Sequence, residues 1–157
     1  MQEPVAAAGV PPRATKSVYP EPFAARMAGR TKRVLGDRFG LSNFGVNLAT
    51  LEPGAVSALQ HRHGSQDEFV YVLQGEVTLV RGSRTNILGA GMCIGFPAGG
   101  ESHHLENRSD AIATYLEVGD RTEGDMVEYP SDDLVAVREG GAWRFTHKDG
   151  TSYDDGR

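Results

Sequence analysis

Residues 61–80 read HRHGSQDEFVYVLQGEVTLV, a polar turn followed by two runs rich in aromatic and β-branched residues. Phe69 to Leu73 and Glu76 to Val80 have the composition of β-strands, and Gln74-Gly75 between them reads as a hairpin turn. Alternation along a strand puts Glu68, Val70 and Val72 on one face and Tyr71 on the other. The carboxylate therefore points the same way as an apolar wall. His61 and His63 are also two apart, so their imidazoles leave the same side of an extended segment.

The period-two pattern continues on both sides of this stretch. Phe44, Val46 and Leu48 alternate with Gly45, Asn47 and Ala49 up to the turn Glu52-Pro53-Gly54, which predicts a further strand. Thr85 to Leu88, Met92 to Phe96 and Ala111 to Val118 read as strands too, fenced by Arg81 to Arg84, Gly89 to Gly91, Pro97 to Gly100 and Gly119-Asp120. Many short strands at even spacing predict an all-β, antiparallel fold. Residues 1–28 read as an N-terminal arm, Ala-, Pro- and Gly-rich and mobile to residue 18. Tyr19 to Pro22 is biased to extended backbone, and Phe23 to Met27 makes a helical turn ended by Gly29. Residues 29–122 hold the strands, and 123–157 form an acidic extension, packed on the strands or frayed, with Trp143 to Phe145 as a last edge strand. Arg26, Arg30, Lys32, Arg33 and Arg38 read as a solvated basic face. Asp132-Asp133 reads as a solvated turn without a histidine partner.

The bulk numbers narrow the class. One domain with its own core fits 157 residues, and 39% apolar with 24% charged residues is ordinary for a globular protein. A net charge of −5 argues against a nucleic-acid partner. No apolar run approaches the length that crosses a bilayer, and residues 1–16 make a poor signal peptide, so the cytoplasm is the expected compartment. The single cysteine, Cys93, has no partner for an internal disulfide and reads, beside Ile94 and Phe96, as a small buried hydrophobe.

Gly54, His61-x-His63, Glu68 and Gly75 resemble the first motif of the cupin superfamily, with four residues before the glutamate and six after it. The gap from Gly54 to His61 is one residue longer than the usual form. Gly91, Pro97-x-Gly99, His103 and Asn107 resemble the second motif, again with one extra residue, between Gly99 and His103. The resemblance implies a jelly-roll β-barrel. It also implies that His61, His63, Glu68 and His103 ligate one divalent transition-metal ion. His104 is the alternative to His103, because the inserted residue leaves the register of the third imidazole open. Three imidazoles and a carboxylate suit Fe, Mn, Ni, Zn or Cu and leave positions for water or substrate.

Two classes of function follow. The first is a metalloenzyme acting on a small polar metabolite, of dioxygenase, isomerase or lyase type, with Glu101 and Glu106 beside the third histidine as candidate general bases. The second is a non-catalytic small-molecule or sugar-binding module using the same cavity. Binding cupins of that kind are often fused to a helix-turn-helix, and these 157 residues contain none. A storage role is disfavoured, since all four ligand types stand in register. An exposed edge at Phe44 to Leu48, paired through an arm carrying Phe23, Val34 and Leu35, predicts a homodimer.

Overall fold

The computed structural model describes residues 2–15 and 17–153; the expected fraying at 154–157 lies outside the described residues, as do Met1 and Lys16 of the expected arm. It is built almost entirely of antiparallel strands: β1 (Arg30–Val34), β2 (Phe44–Leu51), β3 (Arg62–His63), β4 (Glu68–Gln74), β5 (Glu76–Arg81), β6 (Arg84–Gly89), β7 (Cys93–Phe96), β8 (His103–Glu106), β9 (Ala113–Asp120), β10 (Met126–Glu128), β11 (Val135–Glu139) and β12 (Ala142–Thr146). One short helix, α1 (Leu35–Arg38), follows β1, and Ala24–Met27 forms a 3-10 turn.

One layer is a five-stranded sheet in the order β1-β2-β9-β4-β7. The other consists of β12-β11-β10-β3 and β6-β5-β8. His61 and His103 join those two sheets, exchanging backbone hydrogen bonds of 3.1 and 2.8 Å, with a second bridge between Val56 and Glu106. The all-β jelly-roll expectation therefore holds. The β4–β5 hairpin needs glycine at its turn. Gly75 has φ +73°, and a Cβ there would stand 2.6 Å from the Ile112 carbonyl oxygen.

Two apolar clusters fill the space between layers. Val70, Val72, Leu51 and Tyr115 of the five-stranded sheet meet Val77, Leu79 and Leu105 of the facing one. Beyond them Phe23 and Met27 pack with Leu59, Val127, Tyr129, Leu134 and Ala136. The N-terminal segment and the last strands thus share one core, which closes one end of the fold.

Four expectations are corrected. Phe44 to Leu48 is an edge only in part, because Asn47 and Leu48 are paired on both sides, by β1 and β9, while Phe44 to Val46 pair with β9 alone, and Phe23 is buried within its own chain. Cys93 is exposed: in β7 alternation turns Ile94 and Phe96 inward, which sends Cys93 outward beside Tyr71. The basic cluster is no uniformly solvated face, since Arg30 is buried and Lys32 lines an interior cavity. Asp133 does have a histidine partner, as His147 Nδ1 lies 2.7 Å from its Oδ2; it is exposed as expected, whereas the Asp132 side chain is mostly covered and pairs with Arg26 at 2.6 Å.

Candidate metal centre

Three backbone segments deliver the cluster. His61 and His63 flank the start of β3, Glu68 opens β4, and His103 opens β8. One ligand atom from each of His61, His63 and Glu68 lies within 4.8 Å of the others. Glu68 Oε2 stands 3.4 Å from His61 Nε2 and 2.9 Å from His103 Nε2, and Oε1 stands 3.4 Å from His63 Nε2. Bonds of roughly 2.0–2.2 Å to one ion put neighbouring ligands about 3.0–3.5 Å apart, so the spacing of His61, His63 and Glu68 fits a metal; His103 adjoins that group through its 2.9 Å hydrogen bond to Glu68.

The far side of each ring supports the same reading. His61 Nδ1 is bonded at 2.8 Å to the Leu59 carbonyl, His63 Nδ1 at 2.6 Å to Asp125 Oδ2, and His103 Nδ1 at 3.2 Å to the Glu101 carbonyl. Those partners only accept, so each Nδ1 carries a proton and Nε2 is the ring atom left facing Glu68. It is able to donate to the carboxylate when the ring is charged and to offer a lone pair to an ion when it is neutral. Anchoring of this kind is how ligating histidines are oriented. Asp125 is fully buried, and its Oδ1 accepts from the backbone N–H groups of Ser65 and Gln66 at 2.7 and 3.3 Å. Phe96 lies flat on the His103 ring, with centroids 3.5 Å apart and planes 2° from parallel.

The electrostatics favour positive charge here. Burial works against charging His63, but hydrogen bonds and charge from Glu68 and Asp125 outweigh it and raise its pKa to about 9. Burial also opposes ionising Glu68, yet the His61 charge and the hydrogen bonds from all three imidazoles hold its carboxyl well below the usual range.

The structure brings His103, and not His104, to the cluster. His104 leaves the opposite side of β8, where its Nε2 meets Glu106 Oε1 at 2.8 Å; burial lowers its pKa despite that partner. Glu106 also takes Arg108 Nε at 2.6 Å, and the Glu101 carboxylate pairs with Arg84 at 2.6 Å. Both candidate bases are therefore engaged away from the imidazoles. Tyr71, expected opposite Glu68, is outward and exposed.

A cavity of about 540 Å³ opens over the cluster and is lined by Glu68, His103, Trp143, Arg138, Lys32 and Glu117 among others. Sequence reasoning missed four polar residues of this region. Asp125 sat in what read as an irregular acidic stretch, Lys32 in what read as a solvated basic face, and Asn47 and Glu117 in strands judged only by their apolar positions. The signal that marks them is alternation: Asn47 and Glu117 take the inward parity of Ala49 and Tyr115.

No helix among the described residues is long and apolar enough to cross a membrane. Residues 47–119 match the family model described as Cupin domain. The chain is similar in structure to a protein described as a sugar phosphate isomerase of the cupin superfamily from Silicibacter pomeroyi DSS-3, at 40% identity and TM-score 0.89, covering 99% of each chain. It is also similar to a putative sugar phosphate isomerase from Acidithiobacillus ferrooxidans, at 30% identity and TM-score 0.72 over 80% of each chain. A polyketide cyclase from Streptomyces resistomycificus, at 24% identity and TM-score 0.63 over 76% of this chain and 80% of its own, shares the fold. Among curated proteins none matches by sequence. With both motifs on facing strands and a relative of 40% identity along its whole length, this chain belongs to the cupin superfamily.

Proposed function

We propose that this chain is a cytoplasmic metalloenzyme that isomerises a small phosphorylated sugar, with His61, His63, Glu68 and His103 holding one divalent transition-metal ion. The observation that carries the metal is the set of three Nε2 atoms facing one carboxylate, each ring held from behind at Nδ1. The substrate class rests on two relatives described as sugar phosphate isomerases, at 40% and 30% identity. Arg13 and Arg138, which line the same cavity, supply positive charge suited to a phosphate.

An ion bound there would act as a Lewis acid on a carbonyl or hydroxyl oxygen. The chain's own residues do the rest. Asp125 holds an Nδ1 proton of His63, so Nε2 is the ring atom that would face an ion. Phe96 holds the His103 ring at one angle, and Trp143 stands over His63 with ring centroids 5.9 Å apart, narrowing the access of water.

The test is metal analysis of protein purified without an affinity tag, followed by incubation with a panel of aldose and ketose phosphates monitored by NMR. Near-stoichiometric metal and interconversion of one pair are expected, and both should vanish in His61→Ala. Substoichiometric metal in the wild type would sink the metalloenzyme reading. Full metal with tight sugar binding but no turnover would favour the alternative, a non-catalytic small-molecule or sugar-binding cupin.

A further inference from the structure

The five-stranded sheet reverses the usual pattern over part of its surface. Its inward positions carry Lys32, Asn47 and Glu117, while the outward neighbours on β2 and β9 are Val46, Leu48, Leu116 and Val118. Lys32 Nζ lies 2.5 Å from Glu117 Oε1, and Asn47 Nδ2 donates to the same oxygen at 2.9 Å. Both donors therefore act on Oε1. Among the described residues Oε2 has no hydrogen-bond partner, and Glu117 lines the cavity over the imidazole cluster.

Register places this carboxylate close to Glu68. Val70 of β4 faces Glu117 and Glu68 faces Gly119, so the two glutamates are diagonal neighbours on one face, a separation of about 7–8 Å between backbones. Gly119 keeps the space between them clear: a Cβ there would lie 4.0 Å from Glu68 Cγ. Gly45 opposes Gly119 on β2, and the Arg121 guanidinium lies against it, 3.5 Å from where a Cβ would stand. A two-carbon unit held over the imidazoles would have Glu117 to one side, at reach for proton transfer.

We propose that Glu117 is the proton-transferring carboxylate of this cavity, its Oε2 acting as general base while Lys32 and Asn47 fix the group through Oε1. This rests on the isomerase reading above. Oε2 takes the proton from the carbon beside the substrate carbonyl. The C–H pair becomes the carbon–carbon double bond of an enediolate, and the carbonyl π pair moves onto its oxygen. Glu117 then returns its proton to the former carbonyl carbon, and the hydroxyl proton of the neighbouring carbon passes to the first oxygen as the new carbonyl forms. No oxidant or reductant is required. A merely structural tie between β1 and β9 is the competing account, and it leaves the carboxylate dispensable if the shape is kept.

Glu117→Gln tests this, because the amide oxygen still accepts from Lys32 and Asn47 while the base is lost. Expected is a fall in kcat of about 10²–10⁴-fold, with KM within about threefold and metal content equal to wild type. Retained kcat with a lowered Tm would mean the pair is only structural, and overturns the proposal. A measurement on the wild type stands if that variant misfolds: turnover in heavy water should place deuterium on the carbon that receives the proton. Product and recovered substrate still free of deuterium after many cycles of interconversion would signal direct hydride transfer and would also overturn it. A wild type inert toward every sugar phosphate removes the isomerase reading itself, and this assignment falls with it.

Discussion

Asp125 makes the clearest case for what one side chain does without touching the proposed ion. Its Oδ2 fixes the tautomer and angle of His63 at 2.6 Å. Asp125→Asn keeps the volume but forces an amide to replace an acceptor-only carboxylate. Metal affinity measured by chelator competition should drop about 10–100-fold; unchanged affinity would show that His63 does not ligate. The two adjacent histidines give a sharper contrast. His103→Ala should abolish stoichiometric metal, whereas His104→Ala should leave it intact, since His104 faces Glu106. Metal loss from the second variant alone would reverse that assignment. The ligand set itself was legible from motif spacing, because His-x-His and the distance to Glu68 are local consequences of strand geometry. The three-residue gap to Asn107 favours His103 over His104, but only the pairing of His61 with His103 carries that ring to Glu68.

Among the strands, β4, β5 and β9 were legible from alternation alone, and so was the turn at Gly75. Gly75→Ala should cost about 2–4 kcal/mol, through positive φ and the clash with the Ile112 carbonyl. A Tm within two or so degrees of wild type would contradict this. The inward ion pair between β1 and β9 was not legible, because Lys32 and Glu117 lie far apart in the chain and look like ordinary surface residues of their strands. Burial opposes the Glu117 charge, but Lys32 and Asn47 overcome it and hold its pKa below the ordinary 4.5. A depressed carboxyl stabilises the fold above its unfolded pKa and loses that contribution as pH falls through its folded value. Glu117→Gln should therefore flatten the acid limb of the stability curve below about pH 4.5. An acid-unfolding profile identical to wild type would count against the pair as a stabilising element.

Seen entire, the fold directs polar groups into its cavity and apolar ones out of its largest sheet. Val46, Val118 and Phe69 form one outward row, and Leu48, Leu116 and Tyr71 the next. Such an apolar stretch, flanked by Arg33 and Asp120, can meet a second copy of itself even though each chain carries −5. We propose that it does so, making a homodimer through this face rather than through an edge strand. Light scattering should return twice 16.9 kDa, and Leu116→Asp should return the monomer; a monomeric wild type across working concentrations would end the idea.

Strand type, hairpin turns and three of the candidate ligands, His61, His63 and Glu68, were legible in chain order, since backbone alternation and short spacings act over only a few residues. The folded arrangement alone settled which histidine joins Glu68, which acid braces His63, and that Lys32 and Glu117 meet inside the cavity. Those depend on strands brought together from opposite ends of the chain, where β3 pairs with β10 and β2 lies between β1 and β9. Long-range register is set by burial of the shared core, a collective quantity that leaves no mark at any single position.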